Sequence, residues 1–77
     1  MKVVIYSGSF CPGCIQAKQY FDEKGIDYEV KNIDENHGNL IEMTEVYGSE
    51  VMPTIVINEE HIIQGFSPKQ IEEALDD

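Results

Sequence analysis

The sequence predicts an α/β domain with the element order β-α-β-α-β-β-α. Three observations predict it: a continuous β-branched run at the start, two stretches of helical period each closed by a glycine, and a hairpin pattern followed by a capped final helix.

The opening run Lys2 to Tyr6 (KVVIY) is uninterrupted rather than alternating, as in a strand buried on both faces. Ile15, Ala17, Tyr20 and Phe21 then recur at near-helical spacing, and Gly25 supplies a stop. Asp27 to Ile33 (DYEVKNI) alternates, with Tyr28, Val30 and Asn32 on one side and Glu29 and Lys31 on the other. This predicts a second, more exposed strand, parallel to the first. Asp34 to Asn39 reads as loop. Leu40, Met43, Val46 and Tyr47 mark one face of a short second helix, closed by Gly48. Thr54 to Ile57 (TIVI) and His61 to Gln64 (HIIQ) flank the polar Asn58, Glu59 and Glu60 as a hairpin would. Ser67 as N-cap, Pro68 at the first helical position and Gln70 completing a capping box start the last helix, with Ile71, Ala74 and Leu75 on its apolar side.

At 77 residues and 42% apolar, the chain can fill one core, so residues 1–77 are expected to form one domain. Fifteen acidic against five basic residues give a formal net charge of -10, which excludes nucleic acid as a partner. Such a surface serves either solubility or docking to a basic patch on another protein. The apolar run from Val3 to Tyr6 is far shorter than a signal-peptide core or a membrane span of about 20 residues, so a cytoplasmic protein with no membrane partner is expected. There a close cysteine pair is more often catalytic or metal-binding than structural.

Both cysteines lie in the stretch SGSFCPGCIQAK, at Cys11 and Cys14. A disulfide between them spans two residues and constrains the unfolded chain very little. Pro12 suits the first helical turn, which puts Cys11 at the N-cap and Cys14 one turn on, on nearly the same face. The helix N-terminus favours an anion, so the Cys11 thiolate is expected to form below the free value of about 8.5. Cys11 is therefore the candidate nucleophile. Cys14, less solvated beneath the loop, is placed to resolve a mixed disulfide on Cys11. A CxxC motif also suits zinc or an iron-sulfur cluster, which usually want four ligands. This chain has two thiols, and His37 and His61 lack ligand spacing, so no metal is expected. Phe10 either packs down or presents an apolar docking surface beside the nucleophile.

A second signal is Val51-Met52-Pro53-Thr54, where a proline stands at the entrance of a predicted central strand. Pro53 either ends the loop in the trans form or follows a cis Met52-Pro53 bond. In the second case the main chain of Met52 is left free to pair with an extended substrate beside Cys11.

With CPGC at a helix start, the VMPT proline turn about forty residues on, the hairpin and the capped final helix, the chain resembles the glutaredoxin branch of the thioredoxin superfamily over essentially its whole length. That resemblance implies a four-stranded mixed sheet ordered 2-1-3-4, its third strand antiparallel to the first. Helices one and three would lie on one face and helix two on the other. It also implies that Cys11 attacks, Cys14 resolves, Pro53 is cis, and Val51, Met52 and Thr54 line the groove for the disulfide partner. Pro12 and Gly13 of the motif, with Phe10, Gly65 and Phe66, complete the implied substrate-binding set. Glutathione-using members usually carry a lysine three residues before the first cysteine and a Gly-Gly-x-Asp run after the last strand. This chain has Gly8 and Gln64-Gly65-Phe66-Ser67 there. GFSP is similar to the GFxP of NrdH-type redoxins, which serve ribonucleotide reductase and take electrons from thioredoxin reductase. The resemblance thus implies a monomeric carrier that reduces protein disulfides without a bound cofactor, recharged by thioredoxin reductase or glutathione. Its alternatives are a glutathione-dependent glutaredoxin and a [2Fe-2S]-bridged dimer.

Overall fold

In the computed structural model, which describes residues 1–76, the β-branched run forms β1 (Val3–Ser7), buried at every position. Side chains alternate along a strand, so Val3 and Ile5 enter one core and Val4 and Tyr6 the other. The first core is closed by α1 (Pro12–Lys24) and α3 (Pro68–Leu75), through Ala17, Phe21, Ile71 and Ala74. The second is closed by α2 (His37–Ile41) and the π-helical segment Glu42–Val46 that continues it, chiefly through Met43.

The sheet has the order β2-β1-β3-β4, with β2 (Glu29–Asn32), β3 (Thr54–Ile57) and β4 (His61–Gln64). β1 runs parallel to β2, Ile5 opposite Val30, and antiparallel to β3, Ile5 opposite Ile55. The hairpin β3-β4 turns through Asn58 and Glu59, both at positive φ, with the Glu60 N–H donating to the Ile57 carbonyl. This is the mixed sheet and the helix arrangement that the resemblance implied.

The helix ends follow their sequence signals. Gly25 closes α1 at φ 69°, donating its N–H back to the last turn. Ser67 caps α3, its hydroxyl accepting from the Gln70 N–H.

Five expectations need correction. β1 begins at Val3 and includes Ser7, and β2 is shorter than Asp27 to Ile33 because only Glu29 to Asn32 lie in register with β1, Ile33 adding a last N–H bond to the Ser7 carbonyl. α2 starts at His37 rather than Leu40, because the Asn36 side chain accepts from the Gly38 N–H and caps the helix within the expected loop. Val46, assigned to the apolar face, is 68% exposed. In the π-helical segment each hydrogen bond spans five residues, as from the Tyr47 N–H to the Glu42 carbonyl, so the chain winds less per residue and Val46 falls out of phase with Met43. Ile15 is also exposed, one position past the buried Cys14 and outside the line of Cys14, Ala17 and Phe21.

α2 is pinned to the sheet by a polar cluster. The Glu42 carboxylate accepts from the Tyr6 hydroxyl and, at 2.6 Å, from Lys31 Nζ, while the Tyr6 ring meets Tyr47 at 5.9 Å. The hydrogen bond from Lys31, then that from Tyr6, holds the Glu42 carboxyl below its ordinary range. Burial, then the bond to Glu42, pushes the Tyr6 hydroxyl well above its usual value. Because the folded-state pKa of Glu42 is depressed, its contribution is complete above the ordinary value near 4.5 and is lost as pH falls through the folded value. Glu42→Gln should therefore lower the urea midpoint at neutral pH. That deficit should shrink as pH falls below about 4.5, because the wild type then loses what the variant never had. A deficit that stays constant with pH would contradict the charge assignment.

Candidate functional site

β1 ends at Ser7, and the loop Gly8 to Phe10 delivers the chain directly to the N-terminus of α1. Cys11 is the N-cap, extended at φ -144° and ψ 93°, with Pro12 at the first helical position. Its carbonyl accepts from the N–H groups of Cys14 and Ile15 at 3.1 and 3.2 Å, and its Sγ accepts from the Cys14 N–H at 3.2 Å. A sulfur in the place usually filled by a serine or aspartate oxygen thus caps the helix. The Cys14 sulfur lies one turn in and is bonded to that of Cys11, the Cα atoms being 5.2 Å apart.

The two sulfurs differ in access. Cys11 retains 9% exposure and Cys14 1%, so a partner reaches the pair from the Cys11 side. A negative charge on reduced Cys11 would meet the Cys14 N–H and the positive end of the α1 dipole. Phe10 is 97% exposed. It does not pack down against the fold.

The proline turn packs under this helix start. The Met52-Pro53 peptide is cis, and Pro53 is buried. A Cβ added to Gly13 would lie 3.0 Å from Pro53 Cδ and 3.9 Å from Phe66 Cβ, so Gly13, Pro53 and Phe66 meet where only a glycine fits without a shift. The Pro53 carbonyl accepts from the Gly65 N–H at 2.8 Å, with Gly65 at φ 86°, and this bond ties the segment after β4 to the turn. Phe66 is in turn braced edge-on against Tyr20 of α1, at 5.9 Å.

Val51 and Met52 are exposed on the turn, and the main-chain groups of Met52 have no hydrogen-bond partner among the described residues. Thr54 differs from the implied groove lining. It is fully buried, and its hydroxyl is held between Ser49 Oγ at 2.7 Å and the Val51 carbonyl, to which it donates. Its side chain shapes the turn from beneath.

Two contacts carried no signal in the sequence. A Cβ on Gly8 would fall 2.7 Å from Met52 Sδ, so the Met52 thioether already covers position 8. Asp34, expected only as loop, accepts from the Ser9 N–H at 2.8 Å and fixes the loop that leads into Cys11. Only its place after β2, beside the end of β1, could have pointed to it. Among the described residues no three His, Cys, Asp or Glu side chains gather as a metal site, and no helix is long and apolar enough to cross a membrane.

The family model described as Glutaredoxin matches residues 3–62. The chain belongs to the glutaredoxin family. A glutaredoxin of Pseudomonas aeruginosa is 38% identical over 60 residues, covering 78% of this chain and 71% of that protein. Glutaredoxin 3 of Escherichia coli is 35% identical over 60 residues, with 78% and 72% covered. Among solved structures, the glutaredoxin-like NrdH-redoxin of Escherichia coli, described as having a thioredoxin-like activity profile, superposes with a TM-score of 0.82 at 25% identity, over 95% of this chain and 93% of that one. With its CxxC pair at disulfide distance, this glutaredoxin is a thiol-disulfide oxidoreductase. The family match ends at Ile62, before Gly65 and Phe66.

Thr54→Val keeps the shape of the side chain but leaves Ser49 Oγ and the Val51 carbonyl short of a partner. It should cost about 1–3 kcal/mol in urea unfolding and slow disulfide exchange, because the turn bearing Val51 and Met52 loses its anchor. Unchanged stability and exchange would show that the turn is held without it.

Proposed function

We propose that this glutaredoxin is an NrdH-type electron carrier that reduces protein disulfides and is recharged by thioredoxin reductase. The observation that carries the reading is the packing of Met52 over Gly8. Where glutathione-using members place a lysine, a thioether fills the space, so a glutathione carboxylate meets no cation there. The stretch Gly65-Phe66-Ser67-Pro68 and the similarity to NrdH-redoxin support the same reading.

In the forward reaction the Cys11 thiolate attacks one sulfur of the substrate disulfide. A Cys11 mixed disulfide forms, and the other substrate sulfur leaves as a thiolate that takes a proton from solvent. The Cys14 thiol loses its proton and attacks the Cys11 sulfur, releasing the second substrate thiol. The substrate gains two electrons, and the protein is left with the Cys11-Cys14 disulfide seen here. Thioredoxin reductase returns two electrons to that disulfide. Phe10, Pro12, Gly13, Val51, Met52 and Phe66 receive the partner, whose extended chain pairs with the free main chain of Met52. Thr54 and Gly65 support this surface from within. On this reading residues 1–77 act as one cytoplasmic, monomeric domain without bound cofactor, away from membranes and nucleic acid. Ribonucleotide reductase is the candidate acceptor.

Glutathione-dependent exchange is the second reading, favoured by the 38% identity to a glutaredoxin. A coupled assay that follows reduced nicotinamide separates the two. With insulin as disulfide substrate, thioredoxin reductase should sustain turnover at least about tenfold faster than millimolar glutathione with glutathione reductase, a difference of roughly 1.4 kcal/mol in barrier. The reverse order would overturn the proposal in favour of the second reading.

A further inference from the structure

The loop that leads into Cys11 is anchored by a charge that the exchange chemistry itself does not use. Asp34 Oδ2 accepts from the Ser9 N–H at 2.8 Å and would lie 3.4 Å from a Cβ on Gly8, yet the side chain stays exposed. Its carboxylate is therefore fixed on the Ser9 amide, two residues before Cys11, and makes no ion pair among the described residues. Three of the chain's five basic residues are spent elsewhere, Lys2 on Glu59, Lys24 on Glu72 and Lys31 on Glu42. Lys18 stands seven residues beyond Cys11, about 10 Å along α1, and Lys69 is exposed in the first turn of α3. Beside the exposed Phe10 and Met52, Asp34 is a negative charge held by a hydrogen bond on the loop that leads into Cys11.

We propose that Asp34 is a specificity-determining residue: its carboxylate, anchored on the Ser9 amide, makes the protein reduce disulfides flanked by cationic side chains in preference to those flanked by anionic ones. The inference rests on the exchange reading above and names the substrate class it favours. A disulfide bound across Cys11 brings its flanking residues against the loop that Asp34 holds. A lysine or arginine there is attracted, and a glutamate or a glutathione carboxylate is repelled. The effect is local, because charges beyond about 8 Å are screened at physiological ionic strength. The net charge of -10 acts in the same direction but more weakly at the sulfur.

The test uses the reduced full-length chain and two peptide disulfides identical except for lysine or glutamate on either side of the cysteine. Rates of oxidation of the protein are compared as a ratio, lysine over glutamate. The wild type should favour the lysine peptide. Asp34→Asn keeps an oxygen for the Ser9 amide and removes only the charge, so it should lower the ratio by about threefold or more at 0.15 M salt, and by more in dilute buffer. Glu23→Gln removes the same charge from the exposed far end of α1, about 18 Å from Cys11, and should leave the ratio unchanged. An Asp34→Asn ratio equal to the wild type, or a Glu23→Gln shift as large, would overturn the assignment while leaving the exchange reading intact. Failure of both peptides to oxidise the wild type would overturn that reading and the inference together.

Discussion

One hydrogen bond organises the site: the Cys14 amide donates to the Cys11 sulfur at the first turn of α1. Helix N-termini need acceptors for their unpaired N–H groups, and here the sulfur serves as one, sharing the Cys14 N–H with the Cys11 carbonyl. Capping and chemistry therefore call for the same atom in the same place. Pro12 favours this turn, since its fixed φ suits the first helical position. The spacing of three residues then sets Cys14 one turn in, buried and on the same face, so that the two sulfurs meet while only one of them meets a partner.

That geometry has to be presented at a defined height over the sheet, and the interior strand β1 sets it. It lies between β2 and β3, buries all five residues and enters two cores at once. Antiparallel pairing brings the start of β3 beside the end of β1, Tyr6 opposite Thr54, and so lays the Pro53 turn next to the helix start. Gly13 allows the close approach, and the bond from Gly65 to the Pro53 carbonyl extends the contact to Phe66. The wall opposite the cysteines is thus assembled from three distant segments by the strand order alone.

Much of this was legible in the sequence, because the relevant signals are local. Proline after Cys11, glycine after Lys24 and Ser67 before Pro68 each fix a helix end through backbone chemistry that needs no knowledge of the rest of the fold. The continuous apolar run marked the central strand for the same reason. Val46, Ile15 and Thr54 were misjudged because their surroundings are tertiary. A π-helical winding rotates Val46 outward, Ile15 falls just off the buried stripe, and Thr54 turns inward to the Ser49 hydroxyl. The Met52 contact with Gly8 could not be read, and Asp34 only from its place after β2, since each joins segments far apart in the chain and neither belongs to a motif.

The proposed exchange depends on unequal thiols: an outer sulfur that attacks and an inner one that resolves. Both belong to the same short turn, so the inequality comes from position and not from residue type. Mass spectrometry after incubation with a disulfide substrate tests it most directly, using Cys11→Ser and Cys14→Ser. A covalent adduct is expected on Cys14→Ser, trapped for want of a resolving thiol and released by dithiothreitol, and none on Cys11→Ser. Adducts formed equally by both variants would contradict it.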